Sequence, residues 1–459
     1  MAKSIKRALF IFRRDLRVAD NAALIAAAEA SAEVVPCFIF DPRQLENNPY
    51  RSDFLLRFMF ESLKELADQI AGQSGVLNFL YGEAENVLQD LLSTEEFEAV
   101  FINRDYSPFA RKRDSAIEQV SKKLGTKFFS FDDALLNAPG TVVKDDGKPY
   151  TIYTPFMKRA KKISVANPRY LKIDNFSKRN LLQHKPNLVN DLMPNPEGSP
   201  ALRGGRTDAL ERIKKISTRA NYKEVRDFPA HAGTTGLSPH NKFGTCSVRE
   251  VYHAVAKHFG PEHTLINELY WRDFFSHIAF HFPEVIGQAF QKRFQNVEWE
   301  NDKKKFIAWC EGRTGFPIVD AGMRELNQTG IMHNRVRMIV ASFLTKDLHI
   351  DWRWGEKYFA QKLVDYDVSV NNGNWQWAAS TGCDAQPYFR IFNPWLQQEK
   401  FDPDCVYIKR WVEELRDLSS KEIHSLSTTS SSGIKYPSPI VDHKSAKEIT
   451  IELYGAVGE

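Results

Sequence analysis

A change of hydrophobic period divides this sequence and constrains its fold more than any other feature. Over the first 131 residues, short apolar runs alternate with amphipathic stretches. Ala8-Leu9-Phe10-Ile11-Phe12 and Val34-Val35-Pro36-Cys37-Phe38-Ile39-Phe40 are apolar runs of strand length, and others follow at 77–80, 99–102 and 127–131. Residues 20–30 are alanine-rich and helical, with Asp20 or Asn21 available as the cap. Residues 53–70 place Phe54, Leu55, Phe58, Leu63 and Leu66 on one helical face, and residues 112–124 predict a further helix. Strands alternating with helices predict a parallel, doubly wound α/β sheet of Rossmann-like type at the N-terminus. The turn after the first strand is Arg13-Arg14-Asp15-Leu16-Arg17 and not GxGxxG, which argues against a dinucleotide pyrophosphate there. From residue 206 to about 415 strand signals almost vanish, so an all-α C-terminal domain is expected. Between them, Gly140, Gly147, Pro149, Pro155, Pro168, Pro186, Pro194, Pro196 and Pro200 punctuate what reads as a long surface connector. The expected division is therefore 1–134, a linker over 135–203, and 204–459; a chain of 459 residues calls for two or three domains.

Composition excludes several classes. The net charge of +4 is only mildly basic, so a nucleic-acid surface would need its positive charge gathered on one face. Cys37, Cys246, Cys310, Cys383 and Cys405 are widely spaced, odd in number and contain no CxxC. That pattern predicts reduced thiols and argues against a disulfide framework, zinc or an iron–sulfur cluster, so no metal is expected. Neither a signal-peptide core nor a transmembrane run is evident, and a cytoplasmic protein is expected. The stretch Ser425-Leu426-Ser427-Thr428-Thr429-Ser430-Ser431-Ser432-Gly433 reads as a surface loop.

The residues that carry chemistry lie mostly in the helical part. Asn371-Asn372-Gly373-Asn374-Trp375-Gln376-Trp377-Ala378-Ala379-Ser380 sets two of the nine tryptophans beside a run of amides. Indole offers a π face, one donor and an easily oxidised ring; asparagine offers a neutral donor and acceptor. Such a set suits stacking on a flat conjugated molecule and exchanging electrons with it. Gly233-Thr234-Thr235-Gly236-Leu237-Ser238-Pro239 could present backbone N–H groups and hydroxyls to an anion, or be an ordinary loop and cap. Glu268, Trp271 and Arg272 stand at i, i+3 and i+4 and share a helical face, which a surface ion pair packed on a tryptophan would also explain. Asn334, Arg337 and Met338 share a face after the turn at Gly330, while Arg335 points elsewhere. Asp365-Tyr366-Asp367 precedes Asn371, and its acids could pair with those arginines. Trp299, Trp309, Trp352, Trp354, Trp375 and Trp377 could fill helical cores or form a stacking platform for single-stranded nucleic acid. Lys158-Arg159-Ala160-Lys161-Lys162 reads as a solvated charge run rather than a dedicated patch.

Together these segments resemble the DNA photolyase/cryptochrome family, most closely the class I cyclobutane pyrimidine dimer photolyases. The resemblance runs from Phe12-Arg13-Arg14-Asp15-Leu16-Arg17 through Arg226-Asp227-Phe228-Pro229 and Thr314-Gly315-Phe316-Pro317-Ile318-Val319-Asp320. It closes with Tyr388-Phe389-Arg390-Ile391-Phe392-Asn393-Pro394. It implies an α/β antenna domain, a linker and a helical FAD-binding domain. It implies FAD contacts at Tyr222, Thr234, Thr235, Gly236, Leu237, Ser238, Leu265, Arg272, Asn334, Arg337, Asp365, Tyr366, Asp367 and Asn371, with Asn371 facing the flavin N5. Trp375, Trp352 and Trp299 match an electron-transfer chain from flavin to surface, with Trp309 a further core tryptophan. Trp271 and Trp377 match the walls around the damaged bases, Glu268 the carboxyl that bonds the lesion, and Asn334 and Met338 contacts to it. Arg226, Arg335, Arg390 and Gln397 would hold the flanking DNA backbone. The activity implied is light-driven splitting of cyclobutane pyrimidine dimers by an electron from reduced FAD, in a monomer acting on UV-damaged DNA away from any membrane.

Two rivals share the fold. A cryptochrome photoreceptor of plant or animal type usually carries Asp or Cys where Asn371 stands. A (6-4) photoproduct enzyme typically has a His-His pair where this chain has His333-Asn334. Three departures from the family pattern are Gly236, Ile331 beside the flavin, and Asn103-Arg104-Asp105-Tyr106-Ser107-Pro108-Phe109, which lacks a folate-holding glutamate. The second, antenna chromophore is thus left open between a folate, a deazaflavin, another flavin and none.

Overall fold

A computed structural model describes residues 3–46, 48–231, 233–426 and 435–457. The expected serine-rich loop falls largely at 427–433, outside the described residues. The chain divides into two compact units: Met1–Asn195 with Leu202–Thr218 and Thr235–Pro283, and Pro196–Ala201 with Arg219–Thr234 and Glu284–Glu459.

The first unit is built on five parallel strands in the order β3-β2-β1-β4-β5. They are β1 (Ile5–Phe12), β2 (Ser31–Phe40), β3 (Asn78–Tyr81), β4 (Ala99–Asn103) and β5 (Lys127–Phe131). The chain builds outward from β1 to β3, then crosses to the other side of β1 for β4 and β5, which is the doubly wound arrangement expected. β1 and β2 start earlier than their apolar runs because parallel pairing reaches back to Ile5 and Ser31. Asn21 accepts from Leu24 N and caps the helix Ala22–Ala30. Ser52 caps Asp53–Ala71, whose buried stripe holds Phe54, Phe58, Leu63 and Leu66. Leu55, expected on that stripe, is only half-buried; Leu56, Met59 and Phe60 are buried instead, so the covered face is wider and rotated. The structure adds a helix, Ala84–Thr94, which buries Val87, Leu88 and Leu91. The helix expected at 112–124 begins earlier, at Pro108–Lys123, because Ser107 caps it and proline suits its first turn.

The compact units do not coincide with cuts at 134 and 203. The connector contributes the helix Tyr153–Ala160 and buries Phe156, Ile173, Phe176 and Leu181 within the sheet-containing unit. The helices Val248–Phe259 and Thr264–His281 belong to that unit as well. Compactness follows what a helix packs against, which a hydrophobic period does not record.

Among its described residues the second unit is helical and contains no strand. Pro317–Thr329, Asn334–Lys346, Trp352–Lys362 and Val368–Ala378 share one core that includes Trp309, Phe343, Trp352, Phe359 and Trp375. Gly355 makes this packing feasible: a Cβ there would clash with the Trp375 ring edge and with Leu344. No helix among the described residues is long and apolar enough to cross a membrane.

Candidate functional site

In the second unit the motif residues are fixed by a chain of short-range caps and longer hydrogen bonds. Asp367 accepts from Ser369 N at 3.0 Å and Val370 N at 3.3 Å, so it starts the helix Val368–Ala378 and sets Asn371 one turn in. Asn371 Nδ2 donates to the backbone oxygen of Glu356 at 3.1 Å. A carbonyl only accepts, so the amide nitrogen must face it and Oδ1 must face away. That oxygen has no protein partner among the described residues, although Asn371 is 7% exposed. Asn372 beside it donates to Glu356 Oε1 at 3.1 Å and accepts from Gln376 Nε2 at 3.0 Å. Gln376 is anchored in turn to the backbone of Val285, Gln288 and Phe290. Burial pushes the Glu356 carboxyl up to about 7, and the Asn372 hydrogen bond only partly opposes it.

Arg337 and Asp365 form a two-pronged pair, Nη1 to Oδ1 at 3.2 Å and Nη2 to Oδ2 at 3.0 Å. Arg337 Nε also donates to Met332 O at 2.8 Å, so the guanidinium is held on three sides. Asn334 lies one turn before Met338, and its Nδ2 is 3.8 Å from the Met338 sulfur. Arg335 leaves this face, as expected: it pairs with Asp227 at 3.0 Å and covers the Phe401 ring at 4.3 Å. Arg226 approaches the same Asp227 oxygen at 3.9 Å and lies over the Tyr222 ring. Two cations therefore share one anion. Arg390 is exposed, whereas the Gln397 Oε1 is buried without a partner among the described residues.

The tryptophans differ in burial. Trp375 and Trp352 are 2% and 1% exposed, and Trp299 is half-buried. Trp375 meets Phe359 edge-on at 4.9 Å and Trp309 at 6.2 Å, with its Nε1 buried and without a partner among the described residues. Its ring lies on Gly355, one turn into the helix that Trp352 begins. Trp299 packs edge-on against Tyr454 at 5.9 Å. Trp377 and Tyr366 pack on the margin of the same core, and Tyr222 is buried.

His333 caps Asn334–Lys346 by accepting from Arg335 N at 3.2 Å. Burial first, then the charge of Arg337, lowers its imidazole to about 4, so it is neutral at physiological pH. No sequence signal singled out Glu356; its partners lie 15 and 16 residues away.

The chain passes from the second unit to the first between Thr234 and Thr235. Thr234 and Ser238 are exposed, and Leu237 N donates to Thr235 Oγ1 at 3.3 Å. Gly236 has φ +66°, a left-handed conformation that favours glycine, and a Cβ there would meet the Arg212 guanidinium. Leu265, Glu268, Trp271 and Arg272 all lie on Thr264–His281, with Leu265 buried and the other three half-buried. Arg272 donates to Ala134 O at 2.6 Å and Asn241 O at 3.0 Å, which fixes its guanidinium. Asp273 next to it receives Asn137 N at 2.9 Å, and burial raises its carboxyl to about 7. Trp271 stacks on Tyr153 with ring centroids 3.5 Å apart.

Comparison with known proteins identifies the family. The family described as DNA photolyase matches residues 8–172, and the FAD binding domain of DNA photolyase matches residues 265–456. A Vibrio cholerae protein named deoxyribodipyrimidine photo-lyase is 40% identical, covering 96% of this chain and 98% of its own. A solved archaeal photolyase from Sulfolobus tokodaii, which holds two FAD molecules, is 42% identical with a TM-score of 0.90, covering 98% of this chain and 100% of its own. A bacterial class III photolyase from Agrobacterium tumefaciens is 37% identical with a TM-score of 0.91, covering 98% of each chain. With family matches in both the sheet-forming and the helical parts, and a curated relative aligned over nearly its whole length, this chain belongs to the DNA photolyase family.

Proposed function

We propose that this chain is a class I photolyase that repairs cyclobutane pyrimidine dimers in DNA by light-driven electron transfer from FAD. The observation that carries this reading is the fixed amide of Asn371. Its nitrogen donates one N–H to Glu356 O, which turns Oδ1, an acceptor, away from that carbonyl. An acceptor suits a protonated flavin N5, the form a reduced flavin has. The residues present fit FAD by their donor chemistry: an unpartnered acceptor at Asn371, a braced cation at Arg337, and hydroxyls at Thr234, Thr235 and Ser238 with Arg272 for the phosphates. Tyr222, Gly236, Leu237, Leu265, Asn334, Asp365, Tyr366 and Asp367 complete the proposed cofactor set. Bound in its reduced form, FAD supplies the electron that light transfers to the dimer, and the ring-opened product returns it.

The protein's own groups prepare that step. Arg337, braced by Asp365, places positive charge for an anionic cofactor. Trp375, Trp352 and Trp299 would relay electrons inward; the first two are buried and Trp299 is half-buried, as an outermost member would be. Photolyases take the target out of the base stack, and a dimer already pairs poorly, which lowers the cost of flipping. Glu268 would hydrogen-bond the lesion, Trp271 and Trp377 would wall it, and the adjoining Asn334 and Met338 would touch it. Arg226, Arg335, Arg390 and Gln397 would hold the DNA backbone. Asp227, which the first two both approach, offsets part of their positive charge. The functional division 1–134, 135–203 and 204–459 belongs to this reading, as do a cytoplasmic location and a monomeric state; the antenna chromophore stays open between a folate, a deazaflavin, another flavin and none.

The test is repair of defined oligonucleotides by the FAD-loaded, chemically reduced enzyme. Light should split a cyclobutane dimer back to two pyrimidines and leave a (6-4) photoproduct unrepaired. Repair of neither lesion would overturn the reading in favour of a photoreceptor.

A further inference from the structure

We infer that Tyr153, in the connector, is a positioning residue for lesion recognition: it backs Trp271 and holds that indole as a rigid wall. The inference rests on the reading of Trp271 as a wall of the lesion pocket. Tyr153 begins the helix Tyr153–Ala160 and is 7% exposed. Its ring lies parallel to Trp271, at an interplanar angle of 6° and a centroid separation of 3.5 Å. Its hydroxyl donates to the backbone oxygen of Asn267 at 2.8 Å, one turn before Trp271 on Thr264–His281. Phe274 meets both rings edge-on, each at 5.8 Å.

Two electron-rich rings left to themselves prefer an offset or edge-to-face contact. Here the phenol is tied at its far end to the same helix that carries the indole, and Phe274 closes the side. The parallel stack is therefore imposed by three contacts at once. A half-buried tryptophan without such backing would sample several rotamers and would have to be ordered when a flat pyrimidine pair stacked on it. With the backing, the ordering is already done in the free protein. This assigns the connector a part in specificity, since an undamaged duplex with its bases stacked inside does not reach the wall.

The test compares affinities for dimer-containing and undamaged oligonucleotides at one salt concentration, together with repair at saturating DNA. Tyr153→Ala should weaken binding of the dimer-containing strand about five- to tenfold, the scale of one aromatic pair. Binding of undamaged DNA, flavin absorbance and repair per absorbed photon at saturation should stay unchanged. Tyr153→Phe keeps the stack and should recover most of the preference, to within about twofold of the parent. If the alanine variant does not fold, Tyr153→Leu fills the space without a parallel ring and should show the same loss. Equal weakening on both DNAs, or an unaltered preference, would overturn the inference. Trp271→Ala separates the two levels of the argument. If that variant keeps its preference for the dimer, the wall reading itself fails; if it loses the preference while Tyr153→Ala keeps it, only the role of Tyr153 fails.

Discussion

Trp271 and Trp375 are both held by aromatic neighbours, but in opposite ways. Trp271 is half-buried, lies parallel on Tyr153 and meets Phe275 at 29° and 5.5 Å. Trp375 is enclosed in the core of its unit, with rings edge-on at two sides, a glycine beneath it and its N–H unpartnered. A binding wall needs rigidity and an approachable face. A relay for electrons needs rigidity and exclusion of water, since solvent that reorganises around a charge raises the cost of moving it. The two environments match those two demands, although residue type is the same.

The strongest way to break this contrast is Trp375→Phe. Photoreduction of the oxidised flavin should fall to near background, while repair by chemically reduced enzyme persists. Photoreduction at the parental rate would remove Trp375 from the relay. The substitution should cost little stability, about 1 kcal/mol, because the lost packing is offset by removal of a buried, unpaired N–H. A sharper probe of enclosure is Gly355→Ala, whose Cβ meets the Trp375 ring and Leu344. It should destabilise by about 1–3 kcal/mol in thermal or denaturant unfolding, as overpacking does. A neutral result would mean that the core beside Trp375 is looser than its contacts indicate.

A third effect, seen only as pH rises, concerns the carboxyl that braces the helix carrying Trp375. Burial raises Glu356 to about 7 in the folded protein, above its ordinary value. Its contribution to stability is therefore full at acid pH below the unfolded value, and is lost as pH rises towards and through about 7. Glu356→Gln keeps the shape and the acceptor for Asn372 but cannot ionise. Relative to the parent it should gain stability as pH rises from about 5 to 8, reaching roughly 1–3 kcal/mol. Parallel stability curves across that range would show that Glu356 stays ionised in the fold.

Much of this molecule was legible in its sequence. The five strands followed from short apolar runs, and β5 was found with the expected bounds. The grouping of Glu268, Trp271 and Arg272, and the departure of Arg335 from the face of Asn334, Arg337 and Met338, followed from helical spacing alone. Leu55 was misplaced because the period marks an apolar stripe, while the buried arc depends on how many neighbours cover the helix. The connector's anchoring, and the placing of Thr264–His281 with the sheet unit, were not legible for the same reason.

The sequence by itself determined which elements form and which residue types each presents, because caps, turns and helical faces arise between residues a few positions apart. Only the tertiary structure decided that Asn371 turns its oxygen outward, that Arg335 shares Asp227 with Arg226, and that Tyr153 stands behind Trp271. Each of those depends on a partner between 15 and 118 positions away. No local pattern encodes such a partner; it is chosen by how whole elements pack.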